Sequence, residues 1–229
     1  MRDNGGFATL GFLNRNVDVS EWKTKTPYAS IRRIIQNDKL FFKIKPGLWA
    51  LNDSKDFVLQ KFKIQEKNTK EEKDIFLHTY FQGLLVEIGK MKNYFTYIPP
   101  QDKSKLFLDK PLHLIANTTK IFDFTYNEIV KRAKTVDVVW FNERNMPSSF
   151  FEVEHSTDIK NSLSKFDDLQ DFYSKFYIVG SINRKDEFQS IVSRYTYKGI
   201  RKRISFVDYE YISNLHAKTT ALFEFGDIL

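Results

Sequence analysis

The sequence predicts an α/β chain in which a small basic N-terminal module precedes a larger domain built on a mixed sheet flanked by helices. Three observations lead there. Of the net charge of +7, +5 falls in residues 1–52, where nine Lys and Arg stand against four acids, so the first quarter of the chain differs in composition from the rest. Residues 136–208 alternate short β-branched and aromatic runs with helical segments, the pattern of an α/β sheet. Hydrophobic residues make up 41% of the 229, with 22 Phe, enough for a substantial, Phe-rich core.

Taken in order, residues 8–17 read as a short helix with Leu10, Phe12, Leu13 and Val17 on its apolar side. After a polar stretch, Thr26-Pro27 opens a second helix that runs to about Gln36, because Thr is a good N-cap and Pro is tolerated at the first helical position. Ile31, Ile34 and Ile35 are expected to face inward and Ser30, Arg32 and Arg33 outward. Residues 41–45, the turn Pro46-Gly47 and residues 48–51 form a hairpin by pattern and turn chemistry. Two helices and a hairpin within 52 residues describe a winged helix.

Residues 53–71 are polar and Lys-rich and read as a linker, which leaves residues 72–229 for the second domain. Thr69-Lys70-Glu71-Glu72 fits a capping box and should open a long helix ending near Asn93. Phe76, Tyr80, Gly83, Leu84, Glu87 and Met91 share one stripe of it, so a carboxylate interrupts an apolar face. Residues 94–98 read as a strand stopped by Pro99-Pro100; residues 101–121 show no clear period; 124–134 are helical. Strands follow at 136–141 and 150–154, a helix at 158–173, a strand at 176–180, a helix at 185–194 and a strand at 204–208.

Bulk properties bound the function. A pI of about 9.3 favours polyanions, of which nucleic acid is the commonest. The absence of cysteine removes disulfides, thiolate chemistry and cysteine zinc sites, and fits a cytoplasmic location. The first residues carry no apolar run of a signal peptide, and no stretch approaches the ~20 apolar residues of a membrane helix.

The segments at 136–141 and 150–154 carry the chemistry. Alternation along a strand points Glu152 and Glu154 the same way, and pairing with the preceding strand brings Asp137 to the same sheet end. Three acids set among Val136, Val138, Val139, Phe150 and Phe151 are costly to bury unless a cation neutralises them. Hard oxygen ligands suit magnesium, with manganese as a substitute, and the carbonyl of Val153 is a candidate further ligand. His155 reads as a structural neighbour, and the histidines, His78 included, form no cluster, so no zinc site is expected.

Asp137, then Glu152-Val153-Glu154, then a helix from Asp158 resembles the PD-(D/E)xK nuclease superfamily, which includes most type II restriction enzymes. Two departures stand out: Val136 occupies the Pro position, and Glu154 replaces the Lys, as in a minority E-x-E variant. The resemblance implies a restriction-endonuclease-like fold and hydrolysis of DNA phosphodiesters by a metal-activated water. It implies Asp137, Glu152 and Val153 as metal ligands and Glu87 as the assisting acid of the first core helix. The water is left to Glu154, or to Lys160 or Lys165 of the following helix.

The order Asn4-Gly5-Gly6, Lys25-Thr26-Pro27, Ser30-Ile31-Arg32-Arg33 and Pro46-Gly47-Leu48-Trp49 resembles the HARE-type winged helix found fused to restriction endonucleases. The family has a helix before its Gly-Gly pair that this chain does not supply in full. The resemblance implies that Lys25, Ser30, Arg32 and Arg33, with Lys43 and Lys45 on the wing, contact double-stranded DNA. Together these readings imply a sequence-specific restriction endonuclease acting as a homodimer, since cutting both strands of a two-fold site usually takes two centres. The alternatives are a modification-dependent or repair nuclease of the same fold, and a non-catalytic winged-helix regulator; an intact three-acid set argues against the last.

Overall fold

The structure, a computed structural model, describes residues 1–226. Its contacts group into two units: residues 1–76 together with the chain from Ser213 onward, and residues 77–212.

The first unit begins with β1 (Phe7–Thr9), α1 (Leu10–Asn16) and α2 (Pro27–Ile34), then the hairpin β2 (Phe41–Lys45) and β3 (Leu48–Leu51), then α3 (Lys55–Lys61). The strands form an antiparallel sheet in the order β1-β3-β2. β1 stands where the sequence reading began its first helix. It pairs Phe7 with Ala50 and Thr9 with Leu48, and the helix starts only at Leu10, where Thr9 Oγ1 accepts the Phe12 N–H at 3.0 Å. Phe12, expected inside, is exposed, while Leu10 and Leu13 are buried.

In α2, Ile31 and Ile35 lie one turn apart and are buried, whereas Ile34 falls off that stripe and is 46% exposed. Thr26 sits at the N-cap position without a side-chain capping hydrogen bond. Pro46 and Gly47, with Gly47 at φ +74°, turn the hairpin as a Pro-Gly pair does in a type II turn.

α3 lies inside the stretch expected as a linker. Val58 and Phe62, four residues apart on and just past α3, are buried, and Phe62 packs at 4.8 Å against both Phe7 and Phe76. The lysines around them obscured that i, i+4 pair.

The expected capping box is present: Glu72 N–H donates to Thr69 Oγ1 and Thr69 N–H to Glu72 Oε2, each at 3.1 Å. It opens α4 (Lys70–Met91). Then come β4 (Phe95–Tyr97), the small hairpin β5 (Leu106–Phe107) and β6 (Lys110–Pro111), α5 (Leu112–Ile115) and α6 (Asn127–Ala133). Next are β7 (Val138–Phe141), β8 (Pro147–Glu154), α7 (Ile159–Asp168), β9 (Lys175–Gly180), α8 (Lys185–Val192), β10 (Ile204–Asp208) and α9 (Tyr209–Gly226). α9 lies beyond the last element read from the sequence. Among the described residues, no helix is long and apolar enough to cross a membrane.

A mixed five-stranded sheet orders this unit as β10-β9-β8-β7-β4, parallel from β10 to β8 and antiparallel from β8 to β4. Alternation sends Val139, Phe141, Phe150, Phe176 and Ile178 into one core with Ile159, Leu163 and Phe166 of α7 and Phe188 and Ile191 of α8. On the other face Trp140 donates its indole N–H to Leu85 O of α4 at 3.1 Å, and Phe151 stacks on Tyr177. Helices thus cover both faces of the sheet, with α4 on one and α7 and α8 on the other.

Candidate active site

β7 and β8 pair with Val138 opposite Phe151, so Asp137 and Glu152 meet at the end of the pair. Asp137, Glu152 and Glu154 are all buried, at 8%, 3% and 4% exposure. Each acid is held differently.

Asp137 Oδ2 accepts the Val153 N–H at 2.7 Å. Burial pushes its carboxyl up, but His78 beside it and that N–H outweigh burial and hold it below the usual carboxylate range. Glu152 receives Lys165 Nζ on both oxygens, at 2.9 and 2.8 Å, and Ser162 Oγ at 3.0 Å. Burial, then the charge of Asp137, push the Glu152 carboxyl up to about 8 against the pull of Lys165. Glu154 accepts from Ser162 and from Thr157, with an Arg184 nitrogen 3.9 Å from Oε2.

Lys165 owes its place to α7, whose first turn is capped by Asp158 Oδ1 accepting the Lys160 N–H at 2.9 Å. Ser162 and Lys165 lie three residues apart on the face that meets β8, and Lys165 also donates to Thr135 O at 3.0 Å. Lys160, the other candidate, is exposed.

From α4, His78 and Gln82, one turn apart, reach the opposite side of Asp137. His78 Nε2 is 3.6 Å from Asp137 Oδ1 and its Nδ1 3.1 Å from Val153 O. Gln82 Nε2 donates to Asp102 Oδ2 at 2.7 Å and to Asp137 O at 3.2 Å. Asp102, on the turn after Pro99-Pro100, is buried and paired with Lys105 Nζ at 2.6 Å. Burial pushes the His78 imidazole down, but Asp137 and Asp102 together outweigh it and raise it.

Glu87 does not join this group. At 100° per residue it stands about half a turn around α4 from His78, and it is half-buried near Tyr80. The Val153 carbonyl, expected as a ligand, faces His78 Nδ1. His155 lies beside Tyr209, with its Nδ1 3.5 Å from the hydroxyl.

The sequence reading missed His78, Gln82, Asp102, Ser162 and Arg184 as site residues. The available signal for the first two was a pair of polar residues at i, i+4 inside an otherwise apolar helix; Asp102 lay in the stretch without period.

Asp137, Glu152 and Glu154 offer carboxylate oxygens, but the group whose ligand atoms lie within 4.8 Å of one another among the described residues is His78, Asp102 and Asp137. Each of the three acids has a basic neighbour, Lys165 on Glu152, His78 beside Asp137 and Arg184 near Glu154, and burial, ahead of the charge of Asp137, raises Glu152.

In the first unit, Lys25, Arg32, Arg33 and Lys43 are exposed. Ser30 is half-buried and donates to Thr26 O at 3.3 Å. Lys45 is half-buried: burial, with Asp74 opposing it, lowers its ammonium below the usual value.

Residues 58–227 match the family described as Type II restriction enzyme NmeDI C-terminal domain. No curated protein and no solved structure matches the chain.

Proposed function

The chain belongs to the NmeDI C-terminal-domain family of type II restriction enzymes, and from that membership we propose that it is a sequence-specific DNA endonuclease whose centre is Asp137, Glu152, Glu154 and Lys165. The observation that carries this reading is the ammonium of Lys165 resting on both oxygens of Glu152. The E-x-E strand lacks the lysine of the acid-x-Lys pattern, and α7 returns one to the same carboxylate from thirteen residues on. We read residues 77–212 as a restriction-endonuclease-like, PD-(D/E)xK core and residues 1–52 as a HARE-type winged helix that engages DNA.

Hydrolysis forms one P–O bond from water and breaks another, and negative charge grows on the phosphoryl and departing oxygens. Magnesium or manganese held by Asp137 and Glu152 would offset that charge. Lys165, fixed between Glu152 and Thr135 O, orders the attacking water and shares the neutralisation. Glu154, fixed by Ser162 and Thr157, takes up the proton that the water gives up. Two copies of the chain, related by a two-fold axis, cut the two strands.

The test is incubation of the purified protein with methylated and unmethylated plasmid in Mg²⁺ or EDTA. Cuts at fixed positions are expected with Mg²⁺ and none with EDTA. Asp137→Ala and Glu152→Gln should retain DNA binding in gel shifts and lose cleavage. Glu152→Gln cutting at the wild-type rate would sink the reading.

A further inference from the structure

The α4 side of Asp137 carries a second group of ligand-bearing side chains. His78, Asp102 and Asp137 each present one ligand atom, and the three atoms lie within 4.8 Å of one another. His78 Nε2 is 3.6 Å from Asp137 Oδ1 and 4.0 Å from Asp102 Oδ2. These separations exceed hydrogen bonds. They fall between the spacings of adjacent and opposed ligand atoms around one cation, about 3 Å and about 4 Å with bonds of about 2.1 Å.

The imidazole is oriented from behind. A carbonyl oxygen only accepts, so Nδ1, 3.1 Å from Val153 O, carries the proton and donates it. When a cation takes the place of the Nε2 proton, the Nε2 lone pair points toward the two carboxylates, with the Nδ1–H support that ligating histidines use.

Gln82 adds a buried, unpartnered oxygen beside the group. Its side chain is fully buried and its Oε1 has no hydrogen-bond partner among the described residues, although its Nε2 lies on Asp102 Oδ2 at 2.7 Å. A half-turn exchanges the two ends of the amide. It would give up both Nε2 hydrogen bonds and set Oε1 against the Asp102 carboxylate and the Asp137 carbonyl, an approach of oxygens that only a cation among them makes favourable.

We propose that His78, Asp102 and Asp137, with the Gln82 amide oxygen beside them, bind a divalent cation that prefers manganese or zinc to magnesium. Imidazole is a good ligand for the softer ions, whereas magnesium favours oxygen and water. The site deepens the nuclease reading, with which it shares Asp137, but its test is metal binding. Asp102 Oδ1 is held by Lys105, so Lys105 competes with the cation for that carboxylate.

Mn²⁺ alone is added to the full chain, and pulsed electron paramagnetic resonance reads ¹⁴N coupling from a coordinated imidazole. Coupling is expected in the wild type, in His155→Gln and in Glu152→Gln, and its loss in His78→Gln. Mn²⁺ affinity by calorimetry should rise several-fold in Lys105→Ala and fall at least tenfold in Asp102→Asn. These two variants carry the test if His78→Gln does not fold. Mn²⁺ bound without nitrogen coupling, coupling that survives His78→Gln, or affinities unmoved by Lys105→Ala and Asp102→Asn would overturn the site. Coupling without DNA cleavage would keep the site and sink the nuclease reading. Cleavage without coupling would do the reverse.

Discussion

Lys165 can be separated into a structural and a chemical part. Its side chain is 21% exposed and that of its partner Glu152 3%, so Lys165→Met leaves a buried acid without its cation. Removing one member of a buried pair costs about 3 kcal/mol, visible as a lower urea midpoint in the absence of metal. Replacing both, in Glu152→Gln with Lys165→Met, removes the unpaired charge, and most of the stability should return. Cleavage should not return: both proteins are expected to cut plasmid at least about 100-fold more slowly than wild type. A Lys165→Met protein that cuts normally would make the lysine a structural partner only. Glu87 gives the opposite expectation. It stands half a turn from His78 on α4, so Glu87→Gln should cut at the wild-type rate. The three acids were legible because their strands alternate and their burial is costly. Lys165 was legible only as one of two lysines, since the choice depended on where α7 meets β8. His78 and Asp102 were not legible. The sequence showed no histidine cluster, and their pairing with Asp137 depends on tertiary packing from two segments distant in the chain.

At the scale of elements, local chemistry was readable where it was self-contained. The capping box before α4 and the Pro-Gly turn between β2 and β3 each use neighbours within four residues. β1 was hidden because three residues pair only with the distant β3, and its alternation is too short to see. α4 misled differently. A single apolar stripe was expected, yet Leu77, Phe81, Leu85, Val86 and Ile88 are buried as well as Tyr80 and Leu84, so the helix is covered nearly all round and its polar His78 and Gln82 face the site. Gly83 shows how tightly it is covered. A Cβ there would lie 2.0 Å from Phe107 Cδ2, and Phe107 is itself buried and stacks on Tyr80. Alanine gains up to about 1 kcal/mol of helix propensity. Forcing a methyl into a filled core costs about 1–3 kcal/mol, and the ring has no solvent to turn into. The clash should win. Gly83→Ala is expected to lower stability by about 1–2 kcal/mol in urea denaturation, and an unchanged or higher midpoint would show that β5 and β6 move aside.

For the whole molecule, charge is divided as the work is proposed to be. Residues 1–52 carry +5, while the acids that would act on phosphate lie in the unit of residues 77–212. A basic module attracts a polyanion, whereas a site's own carboxylates repel it. Within that module the cations differ in what else they do. Lys45 is half-buried near Asp74, so replacing it disturbs packing as well as charge. Arg32 and Arg33 are exposed on α2, which is anchored through Ile31 and Ile35 on another face, so removing them should change stability by no more than about 0.5 kcal/mol. They are the cleaner probes of DNA contact. Each phosphate contact releases condensed counterions, and the slope of log affinity against log salt changes by about 0.9 per contact. The Arg32→Ala, Arg33→Ala double variant is therefore expected to bind DNA more weakly at low salt, with a slope flatter by about two units. If the two arginines instead read bases, affinity should fall on the recognition sequence while the slope on random DNA stays the same. A folded double variant with unchanged affinity and slope on both would remove this helix from the DNA interface and leave recognition to other parts of the chain.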